Sequence, residues 1–219
     1  MPRESKAARA RRVTEILARL HERYPGATTA LHYTTALELL AAVILSAQAT
    51  DKVINEITPA LFRQYPTARA YAEADPVELE QMIRRSGFFH NKAKSLRGMG
   101  AALVANFGGE VPGTLAELIT LPGVARKTAN VVLANAFGRA EGVVVDTHIK
   151  RVSYRLGLTA QTDPVKVEQD LMALLPREEW IFYGESVVLH GRDTCHARKP
   201  ECPVCMLREV CPRVGVAAG

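Results

Sequence analysis

Apolar residues recur at spacings of three and four along most of this 219-residue chain, and this pattern predicts α-helices. Proline and glycine separate the stretches that show it. Only residues 142–145 (Gly-Val-Val-Val) are typical of a β-strand, and they are too few to form a sheet. The longest apolar run, Leu39–Leu45, is far shorter than the roughly 20 residues of a membrane-spanning helix. The sequence therefore predicts an all-α protein.

Two helix starts can be placed from the residues alone. Asp75-Pro76 and Asp163-Pro164 each put an aspartate before a proline. An aspartate side chain can accept a hydrogen bond from the first N–H groups of a helix, and proline suits the first turn because its missing N–H would have no partner there. We therefore expect helices to begin at both prolines.

The net charge favours a polyanionic partner. The chain carries a formal net charge of +5 and has a pI of about 9.1. Nucleic acid is the common polyanion, although many basic proteins bind none. No apolar stretch follows the positively charged N-terminus, so we predict no secretory signal and expect a cytoplasmic protein.

The four cysteines form one cluster, with the spacing Cys195-x6-Cys202-x2-Cys205-x5-Cys211. Cytoplasmic proteins rarely form disulfides, so this clustering predicts a metal site. Structural zinc sites usually contain two close cysteine pairs, and only one is present here. Four thiolates without histidine suit an iron–sulfur cluster. The spacing therefore favours an iron–sulfur cluster over zinc and over reduced free thiols.

Residues 121–125 (Leu-Pro-Gly-Val-Ala) join two helical stretches through a short turn. Gly123 can adopt the positive φ angle that a tight turn requires, and Leu121 and Val124 would anchor the turn in the core. The second helix would begin near Ala125, where N–H groups without intrahelical partners favour a phosphate. The turn is thus either a sequence-independent contact to the DNA backbone or an ordinary connection between helices.

Two charged residues suit nucleophilic chemistry. Lys127 would lie in the first turn of the second helix, where the positive end of the helix dipole disfavours an ammonium and favours the neutral amine that nucleophilic attack requires. Asp146 follows three valines and precedes Thr147, which is typical of a helix N-cap, and its carboxylate could stabilise a nearby positive charge. The alternatives are a solvated lysine and a purely structural cap.

Several strings of residues, in the same order along the chain, resemble the endonuclease III family of base-excision DNA glycosylases. They are residues 45–51 (Leu-Ser-Ala-Gln-Ala-Thr-Asp), residues 121–129 (Leu-Pro-Gly-Val-Ala-Arg-Lys-Thr-Ala), residues 145–148 (Val-Asp-Thr-His) and the cysteine spacing. The resemblance extends from about Val13 to Cys211. One departure lies in the hairpin, where Ala125 replaces the usual second glycine, and its methyl group is expected to lengthen a phosphate contact or shift the turn.

The resemblance implies a DNA glycosylase that also cleaves the DNA strand. Lys127 would attack C1′ of the deoxyribose, and Asp146 would activate the lysine or stabilise the cationic sugar as the base leaves. A Schiff base would form, and β-elimination would nick the strand 3′ to the lesion. The implied substrates are oxidised pyrimidines, such as thymine glycol, in double-stranded DNA. The implied cofactor is a [4Fe–4S] cluster on the four cysteines, and His148 is predicted to be structural.

Seven residues are predicted to contact DNA: Gln48, Phe88, Leu121, Gly123, Ala125, Arg198 and Lys199. By the resemblance, Gln48 would fill the position of an extruded nucleotide, and Phe88 would intercalate as an apolar wedge. Without the family resemblance, residue type alone would place Phe88 in the core and Gln48 at a helix end. Arg198 and Lys199 lie between the first two cysteines, where a cluster would hold them rigid for phosphate, unless they form a solvated basic loop.

The implied architecture is two helical lobes with DNA in the cleft between them. One lobe, residues 29–139, would be a six-helix barrel with the helix–hairpin–helix at about 114–137. The other would combine residues 1–28 with 140–219 and carry the cluster. We expect a monomer that is associated with the nucleoid through DNA.

Three other functions fit parts of the sequence. A mismatch or adenine glycosylase of the same superfamily usually lacks a lysine at the position of Lys127. A non-catalytic DNA-binding module that uses the cluster as a redox sensor would not require both Lys127 and Asp146. A zinc-bearing DNA-binding protein would contain no iron.

Overall fold

A computed structural model describes residues 4–216, and within them the chain forms helices, turns and loops without a β-strand. The prediction of an all-α protein is confirmed. Residues 1–3 and 217–219, which belong to the second predicted lobe, lie outside the described residues. Within residues 4–216, none of the helices has the length and apolar composition needed to span a membrane.

Helices follow one another along the chain with short connections. The α-helices are α1 (Lys6–Arg23), α2 (Ala36–Ser46), α3 (Asp51–Gln64), α4 (Ala68–Glu73), α5 (Pro76–Ile83), α6 (Phe89–Phe107), α7 (Leu115–Leu118), α8 (Arg126–Phe137), α9 (Thr147–Arg155), α10 (Pro164–Leu174) and α11 (Trp180–Asp193). Short 3₁₀ helices span Arg84–Ser86, Arg177–Glu179 and Cys202–Val204.

The chain divides into two compact units, residues 30–141 and residues 1–29 with 142–219. The first unit holds α2 to α8. Seven consecutive residues of α2, Leu39–Leu45, are buried, because this run is apolar on every side of the helix and α3, α6 and α8 pack around it. The resemblance implied six helices, whereas this unit has seven, of which α4 and α7 are only six and four residues long.

The second unit holds α1, α9, α10 and α11 around its own core. The apolar stripe of α1 (Val13, Ile16, Leu17 and Leu20) is buried there, and α11 packs against both α1 and α9. Each unit therefore has its own hydrophobic core.

Both predicted helix starts are confirmed. Asp75 Oδ1 accepts hydrogen bonds from the N–H groups of Val77 and Glu78, both at 2.9 Å. Asp163 Oδ1 accepts one from the N–H of Lys166 at 3.1 Å. In each case the helix begins at the proline that follows the aspartate, so local capping chemistry sets these boundaries.

Candidate active site

The tight turn between α7 and α8 has the geometry that the sequence predicts. Gly123 has a φ angle of +80°, in the left-handed region, and the N–H of Val124 donates to the carbonyl of Leu121 at 3.1 Å. Leu121 and Val124 are buried, at 2% and 7% exposure. Helix α8 begins at Arg126, directly after Ala125. The predicted anchors and the predicted helix start are confirmed.

Glycine is required at position 123 for a second reason, which is the close approach of α6. A Cβ atom added to Gly123 would lie 2.6 Å from Cβ and 2.8 Å from Oγ of Ser95. Further along α6, a Cβ atom on Gly98 would lie 3.0 Å from Cβ of Pro122. The turn therefore packs closely against α6, and its conformation depends on that contact.

Replacing Gly123 tests this dependence, with Gly138 as the matched control. Both residues have a positive φ, but a Cβ on Gly138 would meet nothing within 4 Å. We expect Gly138→Ala to lower the free energy of unfolding by about 1 kcal/mol, from backbone strain alone. Gly123→Ala should lower it by about 2–3 kcal/mol and, if the turn binds the DNA backbone as the sequence predicts, weaken duplex DNA binding roughly tenfold. Urea denaturation and fluorescence anisotropy measure the two effects; equal losses in both variants would contradict this account of the turn.

Lys127 and the start of α8 form one exposed feature. Ala125 is the N-cap of α8 and has no side-chain oxygen, so no side chain caps this helix. By contrast, Thr, Ser or Asp side chains cap α1 to α5, α7, α9 and α10. Lys127 is the second residue of α8 and is exposed. A primary amine therefore lies beside a helix start whose N–H groups suit an anion.

Asp146 is the N-cap of α9, as predicted. Its Oδ1 accepts a hydrogen bond from the N–H of Ile149 at 2.8 Å, and the residue is half-buried. Burial lowers the pKa of the neighbouring His148, whose Nδ1 lies 3.1 Å from Nη2 of Arg151. Because Arg151 also donates to the carbonyl of Gly191 at 2.8 Å, His148 belongs to a packing network, which supports its structural interpretation.

Gln48 and Phe88 share an unusual backbone conformation. Their φ angles are 55° and 48°, in the left-handed region that non-glycine residues rarely adopt. Gln48 is exposed between α2 and α3, and Phe88, the N-cap of α6, is 63% exposed. Phe89, by contrast, packs against the core of its unit. Placing Phe88 in the core, as its residue type alone would favour, is therefore wrong.

The four cysteines lie around one cavity in the second unit. Cys195, Cys202, Cys205 and Cys211 line a single cavity, and none of them forms a disulfide. Val152, Leu156 and Leu207 line the same cavity. Burial raises the pKa of the Cys205 and Cys211 thiols, so binding a metal there would require the thiols to release their protons.

Arg155 of α9 holds the loop that follows the first cysteine. It donates to Sγ of Cys195 at 3.3 Å and to the carbonyls of the next two residues at 2.6 and 2.8 Å. Arg198 and Lys199 follow directly and are exposed. The two basic residues are thus presented from a segment with fixed backbone contacts.

Comparison with known proteins decides the family. The HhH-GPD superfamily of base excision DNA repair proteins matches residues 41–177. An endonuclease III from Synechocystis sp. is 54% identical over 206 residues, which cover 94% of this chain and 94% of that protein. The chain belongs to the endonuclease III family. Two solved structures of this family share its fold, a trapped endonuclease III–DNA covalent intermediate and a non-covalent endonuclease III–DNA complex. Each is 40% identical to this chain and has a TM-score of 0.87. Each match covers 93% of this chain, and it covers 96% of the first and 95% of the second solved chain.

The four thiols fit the iron–sulfur cluster that is associated with the endonuclease III family. They line one cavity together with Val152, Leu156 and Leu207, and cysteine thiolates are the usual ligands of such a cluster.

Sequence reasoning missed two buried or half-buried cations of this endonuclease III family member. Arg155 supports the cysteine loop, and Lys92 of α6 is 5% exposed. A signal for Lys92 was present, since it is in helical register with the buried stripe of Leu96, Met99 and Leu103. A buried ammonium needs hydrogen-bond acceptors, and here they are the main-chain carbonyls of Leu45 and Ser86.

Proposed function

We propose that this chain removes oxidised pyrimidines, such as thymine glycol, from double-stranded DNA and then cleaves the strand through a Schiff base of Lys127. Its membership of the endonuclease III family makes it a base-excision repair DNA glycosylase. The observation that carries the lyase step is the exposed amine of Lys127 at the second residue of α8. At this position the amine lies next to the helix start proposed to bind a DNA phosphate.

The proposed reaction has three covalent steps. The neutral Nζ of Lys127 attacks C1′ of the damaged nucleotide, and the electrons of the C1′–N bond leave with the base, which takes up a proton. The C1′–O4′ bond then breaks, O4′ takes up the proton that the attacking amine gives up, and a protonated Schiff base forms between Nζ and C1′. Loss of a proton from C2′ then breaks the C3′–O bond, which nicks the strand 3′ to the lesion.

Asp146 would stabilise the positive charge that develops on the sugar. Its carboxylate accepts a hydrogen bond from the N–H of Ile149 at the start of α9. The same anion could take the proton that the attacking amine must lose. These two roles are the ones that the family resemblance implies.

DNA binding would combine backbone contacts with filling of the duplex gap. The turn at Leu121, Gly123 and Ala125 would bind one phosphate, and Arg198 and Lys199 would bind another. Gln48 and Phe88, both exposed with left-handed backbone, would enter the duplex where the nucleotide is extruded. We expect the chain to act as a monomer associated with the nucleoid.

Borohydride trapping tests the proposal. Borohydride reduces the C=N bond of a Schiff base to a stable amine, so the protein should become covalently joined to a duplex oligonucleotide that contains thymine glycol. An undamaged duplex of the same sequence is the control and should give no adduct. Base release without an adduct would instead support a glycosylase without lyase chemistry, and the absence of both would refute the proposal.

The four cysteine thiolates would hold a [4Fe–4S] cluster. When bound, the cluster would supply four iron–thiolate bonds that cross-link the chain between Cys195 and Cys211. Arg155 would reinforce this cross-link through its contacts to Cys195 and the two residues that follow. The lysine chemistry itself requires no change of redox state.

Removing one thiolate is expected to remove the cluster. The purified protein should contain about four iron atoms per chain and absorb visible light. Cys205→Ser should lose most of the iron and the visible absorption, and should unfold at a lower temperature, because a cross-link within the second unit is lost. Elemental analysis and a thermal unfolding scan measure this. One zinc ion and no iron in the purified protein would show that the proposed [4Fe–4S] cluster is wrong.

A further inference from the structure

Lys92 carries a buried cation with two main-chain partners. Its side chain lies in the first turn of α6, and the residue is 5% exposed. The ammonium donates to the carbonyl of Leu45 at 2.8 Å and to the carbonyl of Ser86 at 2.7 Å. One side chain therefore joins two segments that are about 40 residues apart in sequence.

Both carbonyls lie at the ends of helices. Leu45 is in the last turn of α2, and Ser86 is the last residue of the 3₁₀ helix Arg84–Ser86. The last carbonyls of a helix lack partners within it and carry the negative end of its dipole, which favours a cation. Burial lowers the pKa of Lys92, and the two carbonyls are the hydrogen-bond acceptors of its buried ammonium. The ammonium of Lys92 therefore binds the C-terminal ends of two helices.

The segments that follow these two carbonyls hold the residues proposed to enter DNA. Gln48 lies three residues after Leu45, and Phe88 lies two residues after Ser86. Both have left-handed backbone, a conformation that persists in non-glycine residues only where the surroundings hold it. The N–H of Lys92 also donates to the carbonyl of Phe88 at 3.1 Å. Lys92 therefore contacts the Phe88 segment twice and the Gln48 segment once.

We propose that Lys92 is a positioning residue that ties the Gln48 segment to the Phe88 segment, so that the two side chains enter the duplex as a pair. This inference rests on the proposed function, because it takes the gap-filling roles of Gln48 and Phe88 from there. Because Lys92 is 5% exposed, it would act through these two segments and not by contact with DNA or the reacting atoms. Loss of the Lys92 ammonium should therefore slow the reaction only on substrates in which a duplex has to be opened.

The test compares Lys92→Met with Lys94→Met on two substrates. Methionine keeps the length of the side chain and removes the ammonium, and Lys94 is exposed on the same helix, so both variants lose the same charge. The first measurement is single-turnover base release from a thymine glycol duplex. The second is borohydride trapping on a single-stranded abasic oligonucleotide, which has no gap to fill.

Lys92→Met should slow base release from the duplex by about tenfold to a hundredfold, the loss expected from a misplacement of about 1 Å. Its trapping on the single strand should equal that of Lys94→Met. Lys92→Gln, whose amide is too short to join both carbonyls, should show the same selective loss and serves if the methionine variant does not fold. Equal base release by the Lys92 and Lys94 variants overturns the inference, and so does an equal loss on both substrates. Absence of both base release and trapping by the unmodified protein overturns the proposed function and this inference with it.

Discussion

Lys127→Ala is expected to abolish the borohydride adduct with thymine glycol DNA and to slow strand cleavage by on the order of 10³-fold or more. The alanine side chain has no amine, so neither the bond to C1′ nor the Schiff base can form. DNA binding should persist, because the proposed phosphate contact uses main-chain N–H groups of the turn and of α8. The measurements are gel separation of the trapped adduct, single-turnover cleavage and duplex affinity.

Lys166→Ala provides the matched control for this variant. Lys166 is also an exposed lysine in the first turn of a helix, α10, so both substitutions remove the same charge from a similar position. The control variant should trap and cleave like the unmodified protein. An adduct that survives in Lys127→Ala would assign the nucleophile to another amine. A loss of equal size in Lys166→Ala would point to a general effect of charge.

Two helix boundaries and the tight turn of the candidate site were predictable, because short-range chemistry sets them. Asp75 and Asp163 cap the two helices that the sequence predicts to begin after them. Gly123 takes a positive φ angle in a turn of which the two apolar neighbours, Leu121 and Val124, are buried. Each of these features depends on residues within a few positions of one another. The sequence therefore contains enough information to place them.

The contacts of Lys92 and Arg155, one within each unit, were not predictable, because they join segments that are distant in sequence. Lys92 reaches a carbonyl 47 residues away, and Arg155 reaches the backbone about 40 residues further along the chain. A helical repeat shows which face of a helix is apolar, but it does not show which main-chain group a buried cation will meet. The left-handed backbone of Gln48 and Phe88 was hidden for a related reason, since neither is a residue type that favours it.

Asp146→Asn is expected to slow base release by about 10²-fold while duplex binding stays unchanged. Asparagine has the same shape as aspartate and is an equally good N-cap, so the hydrogen bond from the N–H of Ile149 should persist. What the substitution removes is the negative charge that would stabilise the cationic sugar and accept the proton of the amine. Single-turnover kinetics on the thymine glycol duplex measure the loss.

Asp163→Asn separates the charge from the cap. Asp163 caps α10 through the same kind of hydrogen bond, from the N–H of Lys166 to Oδ1, and it belongs to the same compact unit as Asp146. If helix capping were the only role of Asp146, both variants would release the base as fast as the unmodified protein and would differ at most slightly in stability. If the carboxylate acts on the sugar, only Asp146→Asn will be slow, and its free energy of unfolding will match that of Asp163→Asn. Normal turnover by Asp146→Asn would leave Lys127 without its proposed partner and reduce Asp146 to a structural cap.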